Sequence, residues 1–192
     1  MFDTLQKNLR AKKYAVTLVE SGDAATEYLS SVVRDTTVAF GGSVTLDEIG
    51  LYDALSESNV VHWHWRVPSG STARDELRAA RNASVYVCSA NAVAETGEIV
   101  NIDGNGNRVA ETCFGHDRVY MVVGRNKIVP TLADALERAK TVAAPLNARR
   151  LRPDAPVDPE SIALISRVCA IFYAAPSLAK YEIVLVDEKL GY

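Results

Sequence analysis

The chain has 192 residues, 48% of them hydrophobic and 23% charged, with a formal net charge of −3. That length supports one sizeable core, so a single domain over residues 1–192 is expected, and the mildly acidic balance speaks against nucleic acid or an anionic membrane as partner. No apolar run approaches the roughly 18 residues of a membrane span, and the first residues lack the charged-then-apolar pattern of a secretory signal. Cys88, Cys113 and Cys169 are widely spaced and form no Cys-x-x-Cys pair, so the reducing cytoplasm is the expected location.

Phe2, Leu5 and Leu9 fall at helical spacing and open the chain with a short amphipathic helix. Residues 14–20 read as a strand rich in β-branched residues, and Asp23 caps a helix running to about Ser31. A short buried strand over 37–40 ends in Gly41-Gly42, and a helix carrying Leu51 and Leu55 follows. Residues 60–67 predict a strand, 68–71 a turn, 72–80 a helix and 85–88 a strand. Residues 98–101 and 107–110 read as two small strands folding back through Asp103-Gly104-Asn105-Gly106. A strand over 119–123 and a helix over 131–143 come next. From Pro145 the chain is Pro- and Arg-rich and reads as an irregular arm, leading to a helix or turn near 161–173 and a closing strand over 181–186. Short apolar strands alternating with helices give an α/β fold: a mostly parallel sheet flanked by helices, with an inserted β-hairpin.

Polar, glycine-punctuated residues concentrate between Ser89 and Ala110. Gly41, Gly42, Ser43, Val44 and Thr45 join a strand to a helix, and Thr45 with Glu48 fits a capping box. The same loop sits at the carboxyl end of a strand, where an anion can meet free backbone N–H groups. It is not a P-loop, since no Gly-Lys-Ser or Gly-Lys-Thr is present. The segment from Asp103 to Asn107 begins like a calcium loop, but Arg108 and Phe114 stand where glycine and glutamate are required. His62 and His64 alternate with Trp63 and Trp65, and with no third ligand nearby they read as half-covered polar residues rather than zinc ligands. The basic cluster at Arg149, Arg150 and Arg152 reads as a solvated surface turn. Glu95, Glu98 and Asp103 are candidate acids or bases. Arg108, Lys127, Asn91, Asn107, Asn126 and Asn147 are candidates to orient a carboxylate or phosphate.

Taken together, the segments 41–50, 89–98, 101–108, 124–128, 144–151 and 184–191 resemble the LUD-domain (lactate utilisation protein) family, in its small stand-alone LutC/YkgG-like branch. The resemblance implies a NagB/RpiA/CoA-transferase-like fold and a link to lactate or organic-acid oxidation beside iron–sulfur subunits. It makes the chain one LUD-like domain, with 145–192 its Pro-rich arm and closing strand. Close relatives carry a cysteine-rich tail after the Asn-Ala-x-Arg-Leu segment, whereas here only Cys169 remains. A cluster needs about four thiolates, so no iron–sulfur or zinc site is expected in this chain.

Two readings lead at this point, and a third is that the family's activity has decayed here along with its cysteines. In one, a small anionic ligand of phosphate, nucleotide or CoA type is held by Gly41, Gly42, Ser43 and Thr45, with Arg108 and Lys127 balancing its charge. That reading requires Ser43, Glu95, Asp103 and Lys127 to line one cleft. In the other, the chain is a non-catalytic subunit docking onto an iron–sulfur lactate-oxidising complex, and the polar hairpin satisfies only its own backbone.

Overall fold

The computed structural model describes residues 2–192. Ten strands form two sheets. The larger has six parallel strands, β1 (Ala15–Val19), β2 (Thr37–Phe40), β3 (Val60–His62), β4 (Val85–Cys88), β7 (Arg118–Gly124) and β10 (Lys180–Val186), in the order β1-β10-β7-β4-β2-β3. The smaller contains β5 (Ala92–Ala94), β6 (Ile99–Asp103), β8 (Ile128–Val129) and β9 (Val168–Phe172), in the order β8-β5-β6-β9. Only the β5–β8 pair of that sheet is parallel.

The large sheet is apolar on both faces because its strands alternate with a period of two. Val38, Phe40, Val85, Val87, Tyr120, Val122, Val184 and Val186 face one side. There they meet α2 (Gly22–Val32), α3 (Val44–Glu48) and α4 (Leu51–Ser56) through Ala25, Leu29, Leu46, Leu51 and Leu55. Ala39, Tyr86, Cys88, Met121, Val123, Ile183 and Leu185 face the other side. They pack on Leu5 and Leu9 of α1 (Phe2–Ala11) and on Val93, Ile99 and Phe172 of the small sheet. The small sheet's outer residues Ala92, Ala94, Val100 and Ile102 are covered in turn by Ala135, Ala139 and Ala144. Each fully buried aliphatic side chain in these layers contributes about 1.5–3 kcal/mol.

Five expectations need correction. The strand from Val60 stops at His62, because Trp63 to Arg66 turns and Arg66 N–H closes onto Trp63 O. The hairpin is β5–β6, and its turn is 95–98, where Gly97 adopts φ +97°. Asn107 to Ala110 is not a strand: Gly106, at φ +79°, starts α6 (Asn107–Cys113). The predicted irregular arm from Pro145 holds only in part: residues 145–151 are helical, and 152–158 form the irregular link. Helix α7 (Leu132–Arg138) passes through a π-helical stretch, Ala139–Ala143, into α8 (Ala144–Leu151). Pro145, within the first turn of α8, has no N–H to give and displaces the carbonyl four residues back. The chain thus widens to π geometry there and stays helical. Beyond it, α9 (Pro159–Ile165) ends before β9, so half of the predicted 161–173 helix is a strand pairing with β6. Helix α5 (Ala73–Ala80) lies where predicted.

Candidate functional site

Parallel strands bring all their carboxyl ends to one edge, and the loops after β2, β4 and β7 meet there. Together with one end of the β5–β6 hairpin, the start of α6, and α8 and α9, they enclose a cavity of about 340 Å³. Ser43 comes from the β2 loop, Ser89 from the β4 end and Lys127 from the 3₁₀ turn Arg125–Lys127 after β7. Asn91, Asp103, Asn107 and Arg108 form the hairpin and α6 wall.

Lys127 lies at the bottom, only 2% exposed. Its Nζ donates to Thr45 Oγ1 at 2.7 Å and to Ser89 Oγ at 2.9 Å. Both hydroxyls spend their own hydrogens elsewhere, Thr45 on Leu190 O at 3.3 Å and Ser89 on Val122 O at 2.6 Å. No carboxylate pairs with Lys127 among the described residues. Burial, reinforced by the nearby Arg138 and Arg108 guanidiniums, lowers its pKa to about 7.

Arg108 is held by Nη2 donation to Asn91 Oδ1 at 2.8 Å and to Ile102 O, while its Nε has no protein partner. Asn91 organises this wall: its Oδ1 also accepts from Ile102 N–H at 2.9 Å, and its own N–H reaches Asn101 Oδ1 at 3.1 Å. Asp103 accepts from Val109 N–H at 3.1 Å at the start of α6, and its other oxygen lies 4.0 Å from Arg108. At the rim, the Arg150 guanidinium sits 4.4 Å over the Trp65 ring and bonds Asn147 Oδ1 and Tyr192 Oη, each at 3.0 Å. Trp65 stacks on Trp63 at 5.3 Å. A side chain at Gly42 would meet the Trp65 ring at 3.1 Å, which explains that glycine by packing.

The other predicted residues divide between the cavity and the surrounding structure. Ser43, not Thr45, caps α3 by accepting from Leu46 N–H at 3.3 Å. Thr45 therefore points inward, fully buried behind Lys127. Gly41 makes room for Tyr86 Oη and Cys88 Cβ, which lie 2.8 and 3.0 Å from where its Cβ would be. Asn126 ties down the chain end, accepting from Leu190 N–H and donating to Gly191 O, each at 3.0 Å. Glu95 and Glu98 do not line the cavity. They sit at the far turn of the hairpin, where Glu98 pairs with Lys12 at 2.8 Å. Burial there would raise the Glu98 pKa, but Lys12 and the Thr96 hydroxyl outweigh it and lower it. Of the four residues required to share a cleft, Ser43, Asp103 and Lys127 do and Glu95 does not.

Sequence reasoning passed over His64, Trp65, Ser89, Arg150 and Tyr192, all of which line the cavity. Arg150 was legible in one respect: it stands three residues after Asn147, on the same helical face. His64 has no partner for Nδ1, and burial lowers its pKa so that it is neutral at pH 7. No group of three or more His, Cys, Asp and Glu able to hold a metal exists among the described residues. The free cysteines do not gather: Cys88 is buried, its pKa pushed up to about 11, while Cys113 and Cys169 are exposed. These residues do not fit an iron–sulfur cluster.

As a sequence family, the LUD domain matches residues 3–184. The chain belongs to the LUD-domain family. Among solved structures, this LUD domain is similar to a DUF162 family protein from Deinococcus radiodurans, with a TM-score of 0.55 and 14% identity over 95% of this chain and 94% of that one. That likeness supports the fold alone. No curated protein matches the LUD domain described here. No helix among the described residues is long and apolar enough to cross a membrane.

Proposed function

We propose that this LUD domain binds a small anionic metabolite in the cavity at the carboxyl edge of its large sheet, in the organic-acid oxidation setting that its family resemblance implies. The observation that carries the reading is the balance of charge around the cavity. Arg108 and Arg150 line it against one carboxylate, Asp103, and Lys127 adds a further charge when its amine is protonated. Cations gathered in a recess of low dielectric attract an anion more strongly than the same cations do on an open surface. Arg108, held from behind by Asn91 and Ile102 O, is suited to grip a carboxylate or phosphate. Ser43 keeps its hydroxyl hydrogen free while its oxygen caps α3, and Asn107 adds a side-chain amide to the lining. Asp103 and the neutral His64 are the groups placed to move protons there.

Thermal-shift titration tests this reading with carboxylates, 2-oxo acids, sugar phosphates, nucleotides and CoA esters. A ligand present at one hundred times its dissociation constant should stabilise the fold by about 2.7 kcal/mol. Arg108→Met should abolish the shift. If no member of the panel moves the melting temperature, the anion reading fails, and docking onto a redox partner becomes the function to pursue.

A further inference from the structure

We propose that Lys127 is a nucleophilic amine, and that it condenses with the carbonyl carbon of a small 2-oxo acid to give a protonated imine. The proposal deepens the anion-binding reading of the same cavity and rests on it.

The hydrogen-bond geometry around Nζ carries the argument. The Thr45 and Ser89 hydroxyls donate to Leu190 O and Val122 O, so toward Lys127 they can only accept. A neutral –NH2 group has two hydrogens, and these two acceptors use both. The nitrogen's lone pair then occupies the remaining tetrahedral position, and no protein group pairs with it among the described residues. Lys127 lines the cavity, so a ligand bound there is the partner within reach of the amine. A lysine serving only as a buried counter-charge would be expected to pair with a carboxylate, yet none bonds it, and Arg138 and Arg108 act on it more strongly than Glu48 does. With a pKa near 7, a large share of the amine is uncharged at neutral pH, as nucleophilic attack demands.

The rest of the cavity selects the electrophile. An amine of this kind needs an aldehyde or ketone. The Arg108 guanidinium supplies a carboxylate grip within the same recess of about 340 Å³. A 2-oxo acid carries both groups on adjacent carbons. In the reaction, the Lys127 nitrogen adds to the carbonyl carbon and gives up one of its protons while the carbonyl oxygen takes one up, giving a carbinolamine. The C–O bond then breaks, the hydroxyl leaves as water after gaining a second proton, and the C=N bond forms. The net change is one ketone, one amine and one proton going to one iminium and one water. Asp103 and His64 line the cavity where those protons must move.

Reductive trapping tests the proposal. The wild-type protein is incubated at pH 7 with pyruvate, the simplest ketone of the class, and sodium cyanoborohydride, which delivers hydride to the imine carbon and fixes a carboxyethyl group on nitrogen. Peptide mapping should place that group on buried Lys127 at least tenfold faster than on exposed Lys7, Lys13 and Lys189. Arg108→Met should slow the reaction at Lys127 tenfold or more, and Lys127→Met should leave only the slow surface reaction. Oxamate, a pyruvate isostere whose amide carbonyl does not form imines, reports anion binding separately through its thermal shift. An oxamate shift without a Lys127 adduct overturns the proposal and leaves the anion reading standing. Neither shift nor adduct overturns both. Labelling confined to surface lysines overturns the proposal even if Lys127→Met fails to fold, because that readout needs only the wild-type chain.

Discussion

The two ends of the β5–β6 hairpin hold opposite kinds of charge. At the 95–98 turn, Lys12 meets Glu98 at 2.8 Å and also donates to Tyr173 O at 3.1 Å, so the cation is neutralised and held by two partners. At the other end, Arg108 and Arg150 face one carboxylate, Asp103, so positive charge is left over even when the Lys127 amine is neutral. The four residue steps from Asn91 to Glu95 put these ends about 14 Å apart, at about 3.4 Å per step. An ion pair that closes on itself can only hold structure. Unbalanced cations in a recess carry a desolvation cost that an anionic ligand would relieve.

The largest test of this contrast uses pH. The folded pKa of Lys127, about 7, lies below its ordinary 10.5, so between those values the unfolded chain binds more protons than the folded one. On this account stability is lowest and flat below pH 7, then rises with pH across the window by at most about 1.4 kcal/mol per unit. The groups that set the shift are Arg138 and Arg108, which lower the pKa after burial, and Glu48 and Cys88, which raise it. Urea denaturation from pH 7 to pH 9.5 should show that rise in the wild type and lose it in Lys127→Met. Equal slopes in the two proteins would mean that Lys127 stays charged.

Next in size is Asn91→Ala, which strands the buried Ile102 N–H and frees Arg108 from its main anchor. It should cost about 2–3 kcal/mol in denaturant unfolding and abolish the anion-induced thermal shift. At the opposite end, Lys12→Met should cost about 1 kcal/mol and leave the shift intact. A lost anion response in that variant would show that the two ends are not independent. The smallest effect belongs to Glu95→Gln, with a stability change below about 0.5 kcal/mol and unaltered ligand response.

The misassignment of the two glutamates has a definite origin. Asp103-Gly104-Asn105-Gly106 has turn chemistry and reads as the hairpin's reversal, which leaves the true turn at 95–98, carrying both glutamates away from the cavity, unrecognised. The real reversal uses Gly97, and Gly106 serves instead to let the chain enter α6. Both glycines have positive φ, so sequence identifies where the chain can turn but not which turn pairs two strands. Pro145 misled in a similar way. Proline signals a helix boundary, yet here the π-helical stretch absorbs it and α8 carries Asn147 and Arg150 to the cavity rim. His64 and Trp65 were hidden by reading 60–67 as one strand, when the chain leaves the sheet at His62.

The residue pattern by itself determined the layered α/β architecture, because runs such as Val119 to Val123, apolar at every position, are stable only as strands covered on both faces. It also determined that the loops at Ser43 and Lys127 follow parallel strands and hence share an edge. Tertiary structure alone decided which charges meet. Lys12 and Lys127 are the same side chain in sequence, and each is near polar residues. Only packing gives one a carboxylate and the other two hydroxyls already committed as acceptors, since partner choice depends on contacts between segments 38 to 86 residues apart.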